Sequence, residues 1–244
     1  MTHLRSLAAL SATSLLLLTA CGGSDTEAGG TTTSASSSAT TSVAATTASP
    51  SPTGPKASDL VADAKKAFDS APLARFAGSA TEKGDTMTMD VTTDAKGNGS
   101  GAVSQGKAEG TARVTVIGKT LYISGDKTFW KVNLGDEAAR ALNGKWISAP
   151  AKSKDFAELE DFLDRKSFVD GVFGEVLGGK VTESPDGKTW IVSETDGVLV
   201  IDKASKRPLS LKGDAEGEKI DLKFSYPSGS TIQAPPKNKI LKMG

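Results

Sequence analysis

In "ARVTVIGKTLYIS", residues 112–124, polarity alternates. Ala112, Val114 and Val116 are separated by Arg113 and Thr115, and Leu121 and Ile123 resume the pattern. Successive side chains of a β-strand point to opposite faces, so a period of two marks a strand with one dry face and one wet face. The signature recurs on both sides of this stretch. Upstream, Met87, Met89 and Val91 alternate with Thr86, Thr88, Asp90 and Thr92; downstream, Ile220, Leu222, Phe224 and Tyr226 alternate with Asp221, Lys223 and Ser225. Short links with turn chemistry, "SGDK" (124–127), "PDGK" (185–188), "TDGV" (195–198) and "AEGE" (215–218), predict hairpins and hence antiparallel neighbours in a meander. Ahead of the strands, "SDLVADAKKAFDSA" (58–71) has the helical period, with Leu60, Val61, Ala64, Ala67 and Phe68 on one face. Ser58 suits its N-cap, Asp59 its positive end, and Pro72 forbids a longer helix. Within 153–174, Phe156, Leu159, Leu163, Phe168, Val169, Val172 and Phe173 predict one or two short helices. The expected class is α+β: a curved antiparallel sheet, an incomplete barrel, packed on a few helices. "GVLVID" (197–202) is apolar on both faces, which predicts a strand covered on both sides or an edge that meets a partner.

The N-terminus addresses location. "MTHLRS" carries one strong positive charge, Arg5, and an apolar stretch runs from Leu7 to Leu18. About twelve residues is too short to span a bilayer core of roughly 30 Å, so residues 1–20 read as a signal peptide. Leu18-Thr19-Ala20-Cys21 resembles the bacterial lipobox, in which the thiol receives a diacylglyceryl group and cleavage leaves the cysteine first. From Gly22 to Ala57 the chain is nearly all Ser, Thr, Ala, Gly and Pro, with too little apolar surface to fold. Residues 21–57 are therefore expected to be a lipidated cysteine and a disordered tether, with an r.m.s. span of about 30 to 36 Å. Residues 58–244 are expected to form the folded domain. The chain would sit at the outer face of the cell membrane, held through Cys21.

Removal of residues 1–20 also removes His3, the only histidine, while the only cysteine would carry lipid. That excludes Ser-His-Asp and Cys-His catalysis, His- or Cys-based zinc sites, His-ligated haem and internal disulfides; no cofactor is expected. Basic and acidic residues number 29 each, so no basic surplus favours nucleic acid. Asp155, Glu158, Glu160, Asp161 and Asp164 lie between apolar helix positions and read as a solvated face. "DAEGE" (214–218) lacks the calcium-loop pattern, and "GEVLGG" (174–179) is no dinucleotide fingerprint. Trp130, Trp146 and Trp190 could stack a sugar or line a lipid site, and read more simply as core or rim aromatics.

The lipobox, the tether, the opening helix, "ARVTVIGKTLYISGDKTFWKV" (112–132), "GKWISAP" (144–150) and "TIQAPP" (231–236) together resemble actinobacterial lipoproteins of the LppX and LprG type. That group is similar in fold to the LolA and LolB carriers. The resemblance implies an apolar cavity between sheet and helices, non-enzymatic binding and shuttling of acyl-chain lipids or glycolipids, and an envelope transporter or other protein partner. It transfers one functional residue, Cys21. Candidate cavity-lining residues are the interior-facing apolar positions: Leu60, Val61, Ala64 and Phe68 of the helix, and Met87, Met89, Val91, Val114, Val116, Leu121, Ile123, Ile220, Leu222 and Phe224 of the strands. Two other readings stay open: an envelope interaction or scaffold module with a closed core, and an enzyme using only carboxylates, Ser or Lys.

Overall fold

A computed structural model of the chain describes residues 54–104, 106, 108–151, 163–173, 179–215, 218–229 and 231–242. Helix α1 (Ala57–Asp69) leads into β1 (Leu73–Glu82), β2 (Asp85–Asp94), β3 (Gly99–Ser104), β4 (Thr111–Ile117) and β5 (Thr120–Gly125). Helix α2 (Lys127–Ala141), β6 (Trp146–Pro150), helix α3 (Arg165–Phe173), β7 (Lys180–Glu183), β8 (Thr189–Ser193) and β9 (Gly197–Asp202) follow. The described chain closes with β10 (Pro208–Ala215), β11 (Glu218–Ser225), a single 3₁₀ turn at Lys237–Lys239 and β12 (Ile240–Lys242).

All twelve strands join one open sheet in the order β12-β6-β5-β4-β3-β2-β1-β11-β10-β9-β8-β7. Neighbours are antiparallel except β12, which runs parallel to β6. The centre is the seam where β1 meets β11, with Phe76 opposite Phe224 and Gly78 opposite Leu222. A meander of β2 to β6 extends to one side and a meander of β10 to β7 to the other. A twisted sheet this wide curls, which gives it an inner and an outer face. The helices pack on the inner face, where the apolar residues of the alternating strands form one buried cluster.

The predicted turns divide. The links at 185–188 and 195–198 are hairpins, and Ala215 pairs with Glu218 across residues 216–217, which lie outside the described residues. "SGDK" is not a hairpin but the start of α2. Asp126 accepts from the Phe129 N–H (2.8 Å) and, through its other oxygen, from the Thr111 N–H (2.9 Å), so one carboxylate caps the helix and ties it to β4. Gly135, with φ at +89°, breaks α2 into two short pieces. Helix α1 begins two residues earlier than expected, at Ala57 rather than Asp59. Lys56 holds its N-cap position without a side-chain bond, and Ser58 lies inside the first turn. Strand β9 is internal rather than an edge: Leu199 and Ile201 are fully buried, while Val198 on the opposite face is 37 % exposed.

Candidate functional site

The inner face is the candidate site, and its chemistry is set by what covers it. Helix α1 lays Leu60, Val61, Ala64 and Phe68 against the sheet. Phe68 is the centre of an aromatic cluster, with ring centroids 5.7 Å from Phe224, 6.2 Å from Phe168, 6.3 Å from Tyr226 and 6.4 Å from Phe173. Phe168 of α3 stacks on Phe76 of β1 at 3.7 Å. Aromatic pairs in offset or edge geometry add to the area they bury, so these rings glue both helices to the β1–β11 seam. The Tyr226 hydroxyl donates to the Pro208 carbonyl (3.0 Å), and burial pushes its phenol well above the ordinary range.

A charge lies beneath this cluster. Arg165, at the start of α3, is buried, and every bond it makes is to an uncharged acceptor. Its Nε donates to Thr93 Oγ1 (2.9 Å) and its Nη2 to the Thr93 carbonyl (2.6 Å). Its Nη1 reaches the carbonyls of Phe68 (3.3 Å), Asp69 (2.8 Å) and Ala71 (2.7 Å). These carbonyls include the last of α1, so the guanidinium supplies the donors a helix C-terminus lacks and sits at its negative end. Burial pulls the Arg165 pKa down, opposed by the charges of Asp69 and Asp94. One side chain thus joins α1, α3 and β2. Asp164, expected on a solvated face, caps α3 by accepting from the Ser167 N–H (2.8 Å).

Toward β4 and β5 the cover is α2, through Trp130. Its indole is buried, and Nε1 has no hydrogen-bond partner among the described residues. A donor left unpaired in an apolar interior costs about 1–3 kcal/mol.

The structure brings the candidate lining residues together. Leu60, Val61, Ala64, Phe68, Met87, Met89, Val91, Val114, Val116, Leu121, Ile123, Leu222 and Phe224 are buried in one cluster, and Ile220 is half-buried against it. They pack against one another and against the helices. Trp130 takes a core position, Trp146 and Trp190 are half-buried, and nothing in the sequence pattern had singled out Arg165. Cys21, the signal peptide and the tether before residue 54 lie outside the described residues, as do Phe156, Leu159, Asp155, Glu158, Glu160 and Asp161. Among the described residues no cluster of three His, Cys, Asp or Glu side chains could hold a metal, and no described helix is long and apolar enough to cross a membrane.

No family model and no curated protein matches the chain. Among solved structures it is similar to LprF from Mycobacterium bovis, with a TM-score of 0.47 and 16% identity over 73% of this chain and 96% of that one. It is also similar to an uncharacterized conserved protein from Thermus thermophilus, with a TM-score of 0.36 and 12% identity over 76% and 98% of the two chains. A LolA superfamily protein from Nitrosomonas europaea aligns with a TM-score of 0.24 and 9% identity over 76% and 97%.

Proposed function

We propose that the protein is a membrane-anchored envelope lipoprotein that binds acyl-chain lipids or glycolipids at the inner face of its sheet, without catalysis, and passes them to an envelope partner. The observation that carries the proposal is the inner face itself. It is apolar from Ile123 and Val114 on one side, through Met89 and Val91, to Leu222, Leu199 and Ile201 on the other. It is covered in part by short helices, one of them broken at Gly135. Such a cover can lift from the sheet as helices without breaking the strand ladder, and an acyl chain would replace its apolar contacts. The unpaired Trp130 N–H supports the same reading, because an ester or hydroxyl oxygen of a lipid would accept from it.

Native mass spectrometry of the full chain, extracted gently from its host, tests this. Wild type is expected to carry lipid adducts, and Leu222→Trp, which adds bulk at a fully buried inner position, is expected to carry fewer. A second reading, a closed-core scaffold module, is favoured by the close aromatic packing around Phe68. It predicts a lipid-free wild type and a Leu222→Trp variant destabilised by about 1–3 kcal/mol. For the anchor, Cys21→Ser is expected to abolish labelling by a fatty-acid probe and to release the chain from the membrane fraction. Equal labelling of both forms would remove the lipoprotein reading.

A further inference from the structure

The outer face carries a groove. Across the sheet, Asp90 pairs with Ala102, Ala102 with Arg113 and Arg113 with Ser124, and the next position in that row is Trp146 of β6, beside the Ile123–Ile147 pair. Val91, Val114 and Ile147 face inward, so Asp90, Arg113 and Trp146 face outward. Neighbouring strands lie about 4.8 Å apart, so Arg113 stands about 10 Å from Asp90 on one side and from Trp146 on the other, with the short Ala102 and Ser124 between them. Large and small side chains in alternation make a toothed trough rather than a flat face. Ser100 and Thr115, whose hydroxyls bond each other at 2.9 Å, line it on one side.

After β11 the chain crosses this face on its way to β12, and Gln233 and Pro235 roof the trough. The groove measures about 430 Å³ and is open to solvent. A second groove of about 370 Å³ adjoins it through Ser100 and Gln233 and extends past Arg75 and Thr92. The charges differ in their commitments. Arg75 donates two 2.7 Å bonds to Asp90 and holds that carboxyl below the usual range. Arg113 is exposed and has no hydrogen-bond or ion-pair partner among the described residues.

We infer that this outer trough binds a carbohydrate chain bearing carboxylates, with a sugar ring stacked on Trp146 and a carboxylate held by Arg113. A pyranose presents an apolar C–H face, which suits an indole, and a rim of hydroxyls, which suits the planar side chains of Asp90 and Gln233 and the hydroxyl of Ser100. The Arg113 guanidinium, without a partner among the described residues, supplies two parallel donors for a carboxylate, the geometry that makes Arg selective for that group. The groove is open to solvent and continues into its neighbour, which fits a polymer rather than an enclosed small molecule. The site is on the opposite side of the sheet from the proposed lipid face and works whether or not that face takes lipid.

The test is titration of the full chain, purified in detergent, with hexagalacturonate, followed by calorimetry and tryptophan fluorescence. Wild type is expected to bind it, and Arg113→Gln and Trp146→Ala are each expected to weaken binding about tenfold, the loss of one charge-assisted contact or one stacking platform. Trp146→Phe, which keeps an aromatic face, is expected to restore most of the affinity. Arg113 is exposed, so its variant keeps the fold even if Trp146→Ala loosens β6. Absence of binding by wild type, binding unchanged in Arg113→Gln, or equal binding of a hexaglutamate peptide would overturn the inference.

Discussion

Arg165→Met is expected to lower stability by about 3–5 kcal/mol, since several acceptors lose a donor at about 1–3 kcal/mol each, which shifts the melting midpoint by roughly 10 °C for a fold of this size. Methionine keeps the aliphatic length, so packing changes little and the loss reports the guanidinium. Without it the buried carbonyls of Phe68, Ala71 and Thr93 and the part-buried one of Asp69 lose this donor, and α1 loses the positive charge at its C-terminal end. The junction of α1, α3 and β2 opens at the same time. Arg165→Lys keeps the charge but not the fork, and one ammonium does not reach both the end of α1 and Thr93, so it is expected to recover less than half of the loss. Urea melts read the energies, and near-UV circular dichroism reads the Phe68 cluster. A loss below about 1 kcal/mol for Arg165→Met would show that water replaces the guanidinium without cost.

Gly78→Ala is expected to cost at least the upper end of the usual 1–3 kcal/mol for overpacking, and to reduce soluble yield. A Cβ on Gly78 would lie 1.9 Å from the backbone oxygen of Asp221. No rotamer relieves a clash with a backbone atom, so β1 and β11 must separate where Gly78 faces Leu222, in the middle of the sheet. Gly197→Ala in β9 is the control, because its added Cβ would meet the Lys212 carbonyl at 3.5 Å, an ordinary contact. Its urea midpoint is expected to stay near that of wild type. Equal midpoints for the two variants would mean that the seam yields at little cost.

Residues whose pattern is local were legible before the structure. Met87 to Val91, Ala112 to Val116 and Ile220 to Phe224 alternate strictly, and each stretch is a strand with the expected face buried. Strand β1 was not legible, because "LARFAGSATE" offers small residues where large apolar ones would mark a face. Helix α2 was hidden by "TFWKV", whose β-branched and aromatic residues favour strands, and by Gly135. Arg165 could not be told from a surface arginine, since its acceptors are mostly carbonyls, which every residue has. The Asp90–Arg113–Trp146 row depends on the register of five strands, which no single stretch of sequence records. The interior-facing candidates were placed together because the period of two fixes their face; whether they open for a ligand is a property of the helices that cover them.

The order of the strands also dictates how the chain must assemble. Within the β2–β6 and β7–β11 meanders, strands that follow one another in sequence also neighbour in the sheet, so their ladders close over loops of modest length. The β1–β11 and β6–β12 ladders are different, since each joins segments far apart in sequence. Two local meanders can form early and independently, and uniting them takes the slow closure of these two long-range ladders, of which β1–β11 is the longer. Until then β1 presents an unpaired ladder edge, Arg75 to Thr81, which is the stretch that a second unfolded chain would pair with. The rate at which β11 finds β1 therefore sets the competition between folding and aggregation.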